Sequence, residues 1–268
     1  MKIDNLRPHK HLQPYIDRYW LWEDEKNLPK IVPGTGTELM FHLYEPITAY
    51  NAQCDIRIPN CHILSPRYVT YHVKTTGRIG FIAVRFRAGA FHNFCNEPIS
   101  EMIDSFIDVR HIWGQMGIDC GNKVIEAKSL DKRISIIETF LLKCLHCFNK
   151  QEQGVDYMVN KIYYGHNEIK LTELSDELAI SNRQFQRKIK ECVGVSPKAF
   201  QRIARFESIL KYLLLNKKSD YLNTVLDRGY YDQSHFIKDF KAFTGEYPSL
   251  FLQEKNFMSH FYNEKLHQ

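Results

Sequence analysis

No stretch of this chain approaches the roughly 18 to 20 consecutive apolar residues that a membrane span needs. Met1 to Leu12 is polar, rich in His and Lys, and has no apolar core segment of the kind an export signal carries. A cytoplasmic protein with no membrane partner is therefore expected. Paired cysteines are also missing. The seven cysteines (54, 61, 95, 120, 144, 147 and 192) are scattered and odd in number, which fits free thiols in a reducing compartment better than a disulfide framework. No glycine-rich phosphate loop, nucleophile elbow or helix-borne His-Glu pair occurs, so the common enzyme signatures are absent and no catalytic residue is assigned. Cys144-Leu-His-Cys147 has no second ligand pair, and His42, His62, His72 and His92 are too dispersed for a metal site. The expectation is a protein that is not an enzyme and has neither cofactor nor metal.

What the chain does have is a repeat. Phe185, Arg187, Lys190, Gly194, Pro197 and Phe200 recur 51 residues later as Phe236, Lys238, Lys241, Gly245, Pro248 and Phe251. Each copy reads as a polar helix start, a helix with one apolar and one basic face, a glycine stop and a proline-initiated helix. The net charge of the chain is only +5. Yet the window from Ser181 to Lys218 holds ten basic residues (183, 187, 188, 190, 198, 202, 205, 211, 217, 218) against two acidic ones (191, 207). Basic charge concentrated on a repeated helix points to a polyanion. A basic stripe on one helix alone is more simply a solvated face. It is the repetition, the turn spacing and the charge window together that favour DNA.

The 268 residues suggest two domains. From Ile31 to about Ala90 short apolar runs rich in β-formers, such as Glu38-Leu-Met-Phe-His-Leu-Tyr44 and Ile79-Gly-Phe-Ile-Ala-Val-Arg-Phe86, are punctuated by Gly and Pro. They predict an antiparallel β domain, a sandwich or a barrel. From about Ile99 the period turns helical, and Ile134, Ile137, Leu141, Leu145 and Phe148 form a stripe at steps of three and four. The polar stretch 149–154 reads as a linker, with helices beyond it. The fold class is thus α+β, divided into a β-rich unit (1–118), a helical connecting region (119–150), an all-α double helix-turn-helix unit (151–255) and a tail (256–268). The helical stripe is wide enough to make a homodimer interface. It would serve equally to cover the β domain's own core.

In the first repeat Ser181 and Gln184 form a capping box opening a helix to about Val193. Phe185, Ile189 and Val193 share one face, and Arg183, Gln186, Arg187 and Lys190 the other. The preceding segment, with its apolar seam at 171, 174 and 178, stands at helix-turn-helix spacing. In the second repeat Asp232 replaces the Ser cap and Phe236, Phe240 and Phe243 form the buried face. Gln233, Ser234, Ile237, Lys238 and Lys241 populate the opposite one. Pro197 starts a connecting helix to about Leu215, with Ile203, Phe206, Ile209, Leu210 and Leu213 as its core side. Two cationic helices held by such a strut can engage adjacent major grooves.

These residues resemble the C-terminal DNA-binding domain of the AraC/XylS family of bacterial transcription regulators. The match runs from about Val155 to Leu252 and rests on Ser181-x-x-x-Phe185-x-Arg187-x-Ile189-Lys190-x-x-x-Gly194-Val-Ser-Pro197 and on Gly229-Tyr-Tyr-Asp-Gln-Ser-His-Phe236-x-Lys238-x-Phe240-Lys241-x-x-x-Gly245-x-x-Pro248. The resemblance implies that Arg183, Gln186 and Arg187, then Gln233, Ser234, His235 and Lys238, lie nearest the bases. It also implies promoter DNA and RNA polymerase as partners and a bacterial cytoplasmic location, with the nucleoid when bound. This chain departs from the pattern at Lys238, where Arg is usual, and at Leu222-Asn-Thr-Val-Leu-Asp227, where an Ala-rich helix is usual. Lysine lacks the bidentate fork of arginine.

The first 115 or so residues resemble the cupin-like sensor domain of some family members more weakly, through Tyr15-Ile-Asp-Arg-Tyr-Trp20, Pro33-Gly34 with Glu38-Leu-Met-Phe-His42, and Val84-Arg-Phe-Arg-Ala-Gly-Ala90. That likeness implies a small-molecule effector or a dimer contact. An aromatic-rich concave β domain suits a ligand, and Trp20, Trp22, His42 and Arg85 are the candidates for its lining. The alternative is a domain that serves only dimerisation or partner contact, with both tryptophans in its core.

Overall fold

Two-residue periodicity organises the N-terminal half. In the computed structural model, which describes residues 2–24, 30–45, 47–51, 53–148, 154–216, 225–226 and 228–252, nine strands form two antiparallel sheets. The larger has the order β1 (Lys2–Leu6), β2 (Ile16–Asp24), β8 (Ile79–Phe86), β3 (Glu38–His42), β6 (Cys61–Leu64), β9 (Phe106–Asp108). The smaller has the order β5 (Asp55–Arg57), β4 (Ile47–Tyr50), β7 (His72–Thr75). The two do not close into a barrel. The register pairs Trp20 with Ala83, Trp22 with Phe81 and His42 with Phe81. One face of the large sheet therefore presents Trp20, Trp22, Met40, Leu64, Phe81 and Ala83 to a core shared with Ile47, Ala49 and Ile58. The other presents Tyr19, Leu21, Leu39, Phe41, Ile63, Ile82, Val84 and Phe86 to helices. Because both faces are covered, β3 and β8 are buried along their whole length.

The helices on that second face are α1 (Val109–Glu126) and α2 (Leu130–Phe148). Asp108 caps α1 by accepting from the Arg110 N–H. The stripe offered above as a dimer surface is internal. Ile137 and Leu141 are fully buried in the core of the large sheet, and Ile134, Leu145 and Phe148 pack against it. The sheet face needed an apolar cover, and α2 is that cover. Cys144 lies in the same core, while Cys147 is exposed.

Among the described residues six helices follow: α3 (Val155–Tyr164), α4 (Leu171–Glu177), α5 (Asn182–Val193), α6 (Pro197–Leu215), α7 (Gln233–Thr244) and α8 (Pro248–Phe251). Two cores result. One gathers Val155, Met158, Ile162, Leu174, Phe185, Ile189 and Phe200 around the first repeat. The other gathers Phe206, Leu210, Phe236, Phe240, Phe243 and Phe251 around the second. Helix α6 contributes to both, Phe200 to the first and Ile203 to Leu214 to the second. Each core also reaches into the β half. Val32 belongs to the second, Lys30 Nζ bonds Glu246 Oε1 at 2.6 Å, and Thr70 Oγ1 donates to the Phe243 carbonyl at 3.0 Å. The stretch 149–153, most of Leu222 to Asp227, Lys217, Lys218 and the tail 256–268 lie outside the described residues.

Candidate nucleic-acid interface

Capping chemistry sets where each of the two repeated helices begins. For α5 the Ser181 Oγ accepts from the Gln184 N–H at 3.3 Å, and the Gln184 Oε1 accepts from the Ser181 N–H at 3.0 Å. The turn from α4 runs through Ala179 in the left-handed region at φ 51. For α7 the Asp232 Oδ1 accepts from the His235 N–H at 2.7 Å. The side chains are then sorted by the 3.6-residue period. Phe185, Ile189 and Val193 are buried beneath α5, and Phe236, Phe240 and Phe243 beneath α7. Arg183, Gln186, Arg187 and Lys190 on α5 are exposed, as are Gln233, Ser234, His235, Lys238 and Lys241 on α7. Ile237, grouped above with the polar face, is half-buried and packs against the second core.

Not every cation of the basic window faces solvent as a free charge. Arg202 Nη2 pairs with Asp239 Oδ1 at 2.8 Å, its Nε reaches the same oxygen at 3.1 Å, and the guanidinium lies 4.7 Å from the Phe243 ring centroid. The bonds to Asp239 raise the Arg202 pKa. Arg205 stacks over Tyr230, whose hydroxyl bonds Asp239 Oδ2 at 3.4 Å. Asp239 thus ties α6 to α7. Its one signal in the sequence was the i, i+4 step from His235, whose Nε2 lies 3.8 Å from Asp239 Oδ2. On the solvent side Arg187 Nε is 3.8 Å from Glu191 Oε1, and Lys241 Nζ bonds the Tyr247 hydroxyl at 3.2 Å. Tyr231, which the sequence did not single out, is 91% exposed at the start of α7.

Residues 174–254 match a family described as a helix-turn-helix domain. The C-terminal region is a helix-turn-helix domain of the AraC type. Residues 4–108 match a domain of unknown function (DUF6597). No curated protein matches the chain. Among solved structures, ToxT from Vibrio cholerae superimposes with a TM-score of 0.52 at 10% identity, over 89% of this chain and 98% of ToxT. ToxT from Vibrio cholerae O395 bound to (E)-4-(8-methylnaphthalen-1-yl)but-3-enoic acid gives 0.50 at 11% identity, over 97% of this chain and 100% of that one. These likenesses concern the fold. The chain thus carries a helix-turn-helix domain, a DNA-binding type of unit, behind a sheet-rich N-terminal part. No described helix is long and apolar enough to cross a membrane.

The four residues named as an effector lining share one face of the large sheet, but they do not share one environment. Trp20 and Trp22 are 5% and 2% exposed, inside the core between the sheets. His42 stacks on His62 with ring centroids 5.2 Å apart, and burial lowers its pKa to about 4. Among the described residues neither ring nitrogen of His42 has a hydrogen-bond partner. Arg85 sits near the opposite end of the sheet, with Nη1 2.5 Å from Glu38 Oε1 and Nη2 2.8 Å from Glu207 Oε1 on α6. Arg85 therefore lies where the sheet meets the helical domain.

Proposed function

We propose that the chain is a sequence-specific regulator that presents α5 and α7 to adjacent major grooves of promoter DNA. The observation that carries this reading is the exposure of all nine polar and basic residues on the outer faces of two helices with repeated sequence. Arg183, Gln186, Arg187, Gln233, Ser234, His235 and Lys238 are assigned to base edges, and Lys190 and Lys241 to phosphates. The 19 residues of α6 span about 28 Å at 1.5 Å per residue, against about 34 Å between adjacent major grooves. DNA bent toward the protein accommodates the difference. The site lies in bacterial cytoplasm, with RNA polymerase as the partner of the bound regulator.

Control by a small effector at the N-terminal part is the second half of the proposal. It is supported by the shared fold with ToxT, a protein crystallised with an organic acid. The filled core between the sheets favours the alternative for that part of the domain, namely dimerisation or partner contact.

Genome-wide binding-site mapping tests the main reading, and absence of any enriched site in a strain that makes folded protein would reject it. Arg187→Ala is expected to cost about 1 to 3 kcal/mol at one half-site and to relax base preference there. Lys190→Ala should weaken all sequences about equally and reduce the salt slope by about one unit. Indistinguishable specificity profiles for the two variants would overturn the assignment of faces.

A further inference from the structure

We propose that Tyr231 is a further base-reading residue of the second repeat, its ring seated on the 5-methyl group of a thymine in the major groove. The inference deepens the function proposed above and rests on it. It starts from a difference between the two repeats. At the offset of 51 residues, Tyr231 falls where the first repeat has Ile180, the residue just before the helix cap. An apolar residue at that position commonly folds back onto the first turn of its helix. Ile180 does so, half-buried against the core that holds Phe185. In the second repeat Tyr230 takes over that contact. It is 3% exposed, its ring centroid lies 5.4 Å from that of Phe236, and its hydroxyl bonds Asp239 Oδ2. Tyr231 is thereby released to solvent.

At 91% exposure Tyr231 is the most exposed large apolar side chain among the described residues, and among them neither its ring nor its hydroxyl has a partner. A surface tyrosine standing alone has no function by that fact. What distinguishes this one is where and how it is held. Buried Tyr230 fixes the backbone on one side, and Asp232, whose Oδ1 accepts from the His235 N–H at 2.7 Å, fixes it on the other. The ring is therefore presented with little backbone freedom left to lose on binding. Every residue from Tyr231 to His235 is exposed. This unbroken stretch is the N-terminal end of α7, the end from which a recognition helix reaches base edges.

A phenol ring at that end has an apolar face to cover, and the apolar feature that base edges offer in the major groove is the C5-methyl group of thymine. A phosphate would satisfy the hydroxyl but leave the ring in water. The contact also supplies discrimination where α7 is short of it. Lys238 lacks the guanidinium fork that Arg183 and Arg187 bring to α5.

The test is a titration of the full chain against the duplex most enriched in genome-wide mapping, with each thymine replaced singly by deoxyuridine, which removes the methyl group and nothing else. At one thymine this replacement is expected to weaken the parent by about threefold or more. Tyr231→Ala should lose affinity for the unmodified duplex by about the same factor and become indifferent to that replacement. Tyr231→Phe, which keeps the ring, should behave as the parent in both respects. Both variants change an exposed side chain and should melt where the parent does. Absence of any methyl-dependent thymine, or a methyl dependence that survives intact in Tyr231→Ala, overturns the inference and leaves the regulator reading in place. So does a Tyr231→Phe variant as weak as Tyr231→Ala, which would assign the hydroxyl to a phosphate. A parent that binds no duplex refutes the regulator reading itself, and this inference with it.

Discussion

A buried histidine with no hydrogen-bond partner makes the stability of this protein depend on pH. Burial lowers the pKa of His42 from 6.5 to about 4, and its stacked neighbour His62 shifts the same way. Below pH 6.5 the unfolded chain takes up a proton at His42 that the folded chain refuses until about pH 4. The unfolded state then binds more protons, so stability is complete above pH 6.5 and falls as the pH drops toward 4. At about 1.4 kcal/mol per pKa unit, His42 contributes a loss on the order of 3 kcal/mol. His42→Leu should flatten that slope and leave stability at pH 7.5 equal or higher, since two unsatisfied nitrogens are removed. Urea unfolding of both proteins at pH 7.5 and 5.0 is the check. Asp239 is a contrasting case, buried but fully engaged by Arg202 and Tyr230. Asp239→Asn should cost about 1 to 2 kcal/mol, at the modest end because the Arg202 side chain, 46% exposed, can turn to water. A thermal melt reading a loss near zero would mean that the Arg202 pair does not hold α6 to α7.

Among the elements, the two repeats share a sequence plan but not a setting. Gly194 and Gly245 end α5 and α7 at φ 82 and φ 76. A Cβ on Gly194 would stand 2.6 Å from Ile103 Cδ1 and 2.8 Å from the Ile99 carbonyl oxygen, whereas among the described residues nothing lies within 4 Å of one on Gly245. The first repeat is docked on the N-terminal part through the short 3-10 helix Ile99–Glu101, and the second has no such contact among the described residues at the equivalent point. Both Gly→Ala variants carry the left-handed penalty of roughly 1 to 2 kcal/mol. Gly194→Ala should lose about 1 to 3 kcal/mol more from the overlap, and chemical denaturation that ranks the two equally would contradict the docking. Helix α2 supplies the second test at this scale. Leu141 is fully buried, so Leu141→Glu should unfold the N-terminal part rather than release a monomer from a dimer. Circular dichroism and sedimentation on one sample separate those outcomes.

For the whole molecule, Glu207 is the central contact between the parts. Its carboxylate accepts from Arg85 at 2.8 Å and from the Thr35 hydroxyl at 2.7 Å, while sitting on the helix that joins the two repeats. Removing one partner of a buried pair leaves the other charge uncompensated, at a cost of about 3 to 5 kcal/mol. Glu207→Ala should split a single calorimetric unfolding transition into two, the helical domain melting apart from the sheets. One unchanged transition would show that the Lys30–Glu246 pair and the Val32 contact hold the parts together without it.

The parts of this protein that the sequence determined by itself are those set by neighbours along the chain. Ser181 with Gln184, Asp232 with the His235 N–H, Pro197 at the first turn of α6 and the period of Phe185 and Ile189 all act within one or two helical turns, where covalent connectivity fixes the distance. The alternation in β2, β3 and β8 is equally local, so a β-rich part was legible, although sandwich and barrel were not distinguished. Tertiary structure decided the rest. The stripe on α2 is apolar whether it meets a partner or its own sheet, and only the fold shows that it covers the sheet. Arg202 and Arg205 count as surface charge until Asp239 and Tyr230 are brought beneath them. Arg85 was placed with two tryptophans as a ligand wall, but its partner Glu207 is 122 residues away. No local period encodes a pairing at that separation. Once backbone chemistry has placed each side chain on its face, the packing of one element against another selects which charges are neutralised and which, like Arg18 with its Nη1 unpartnered among the described residues, are left with a donor unused.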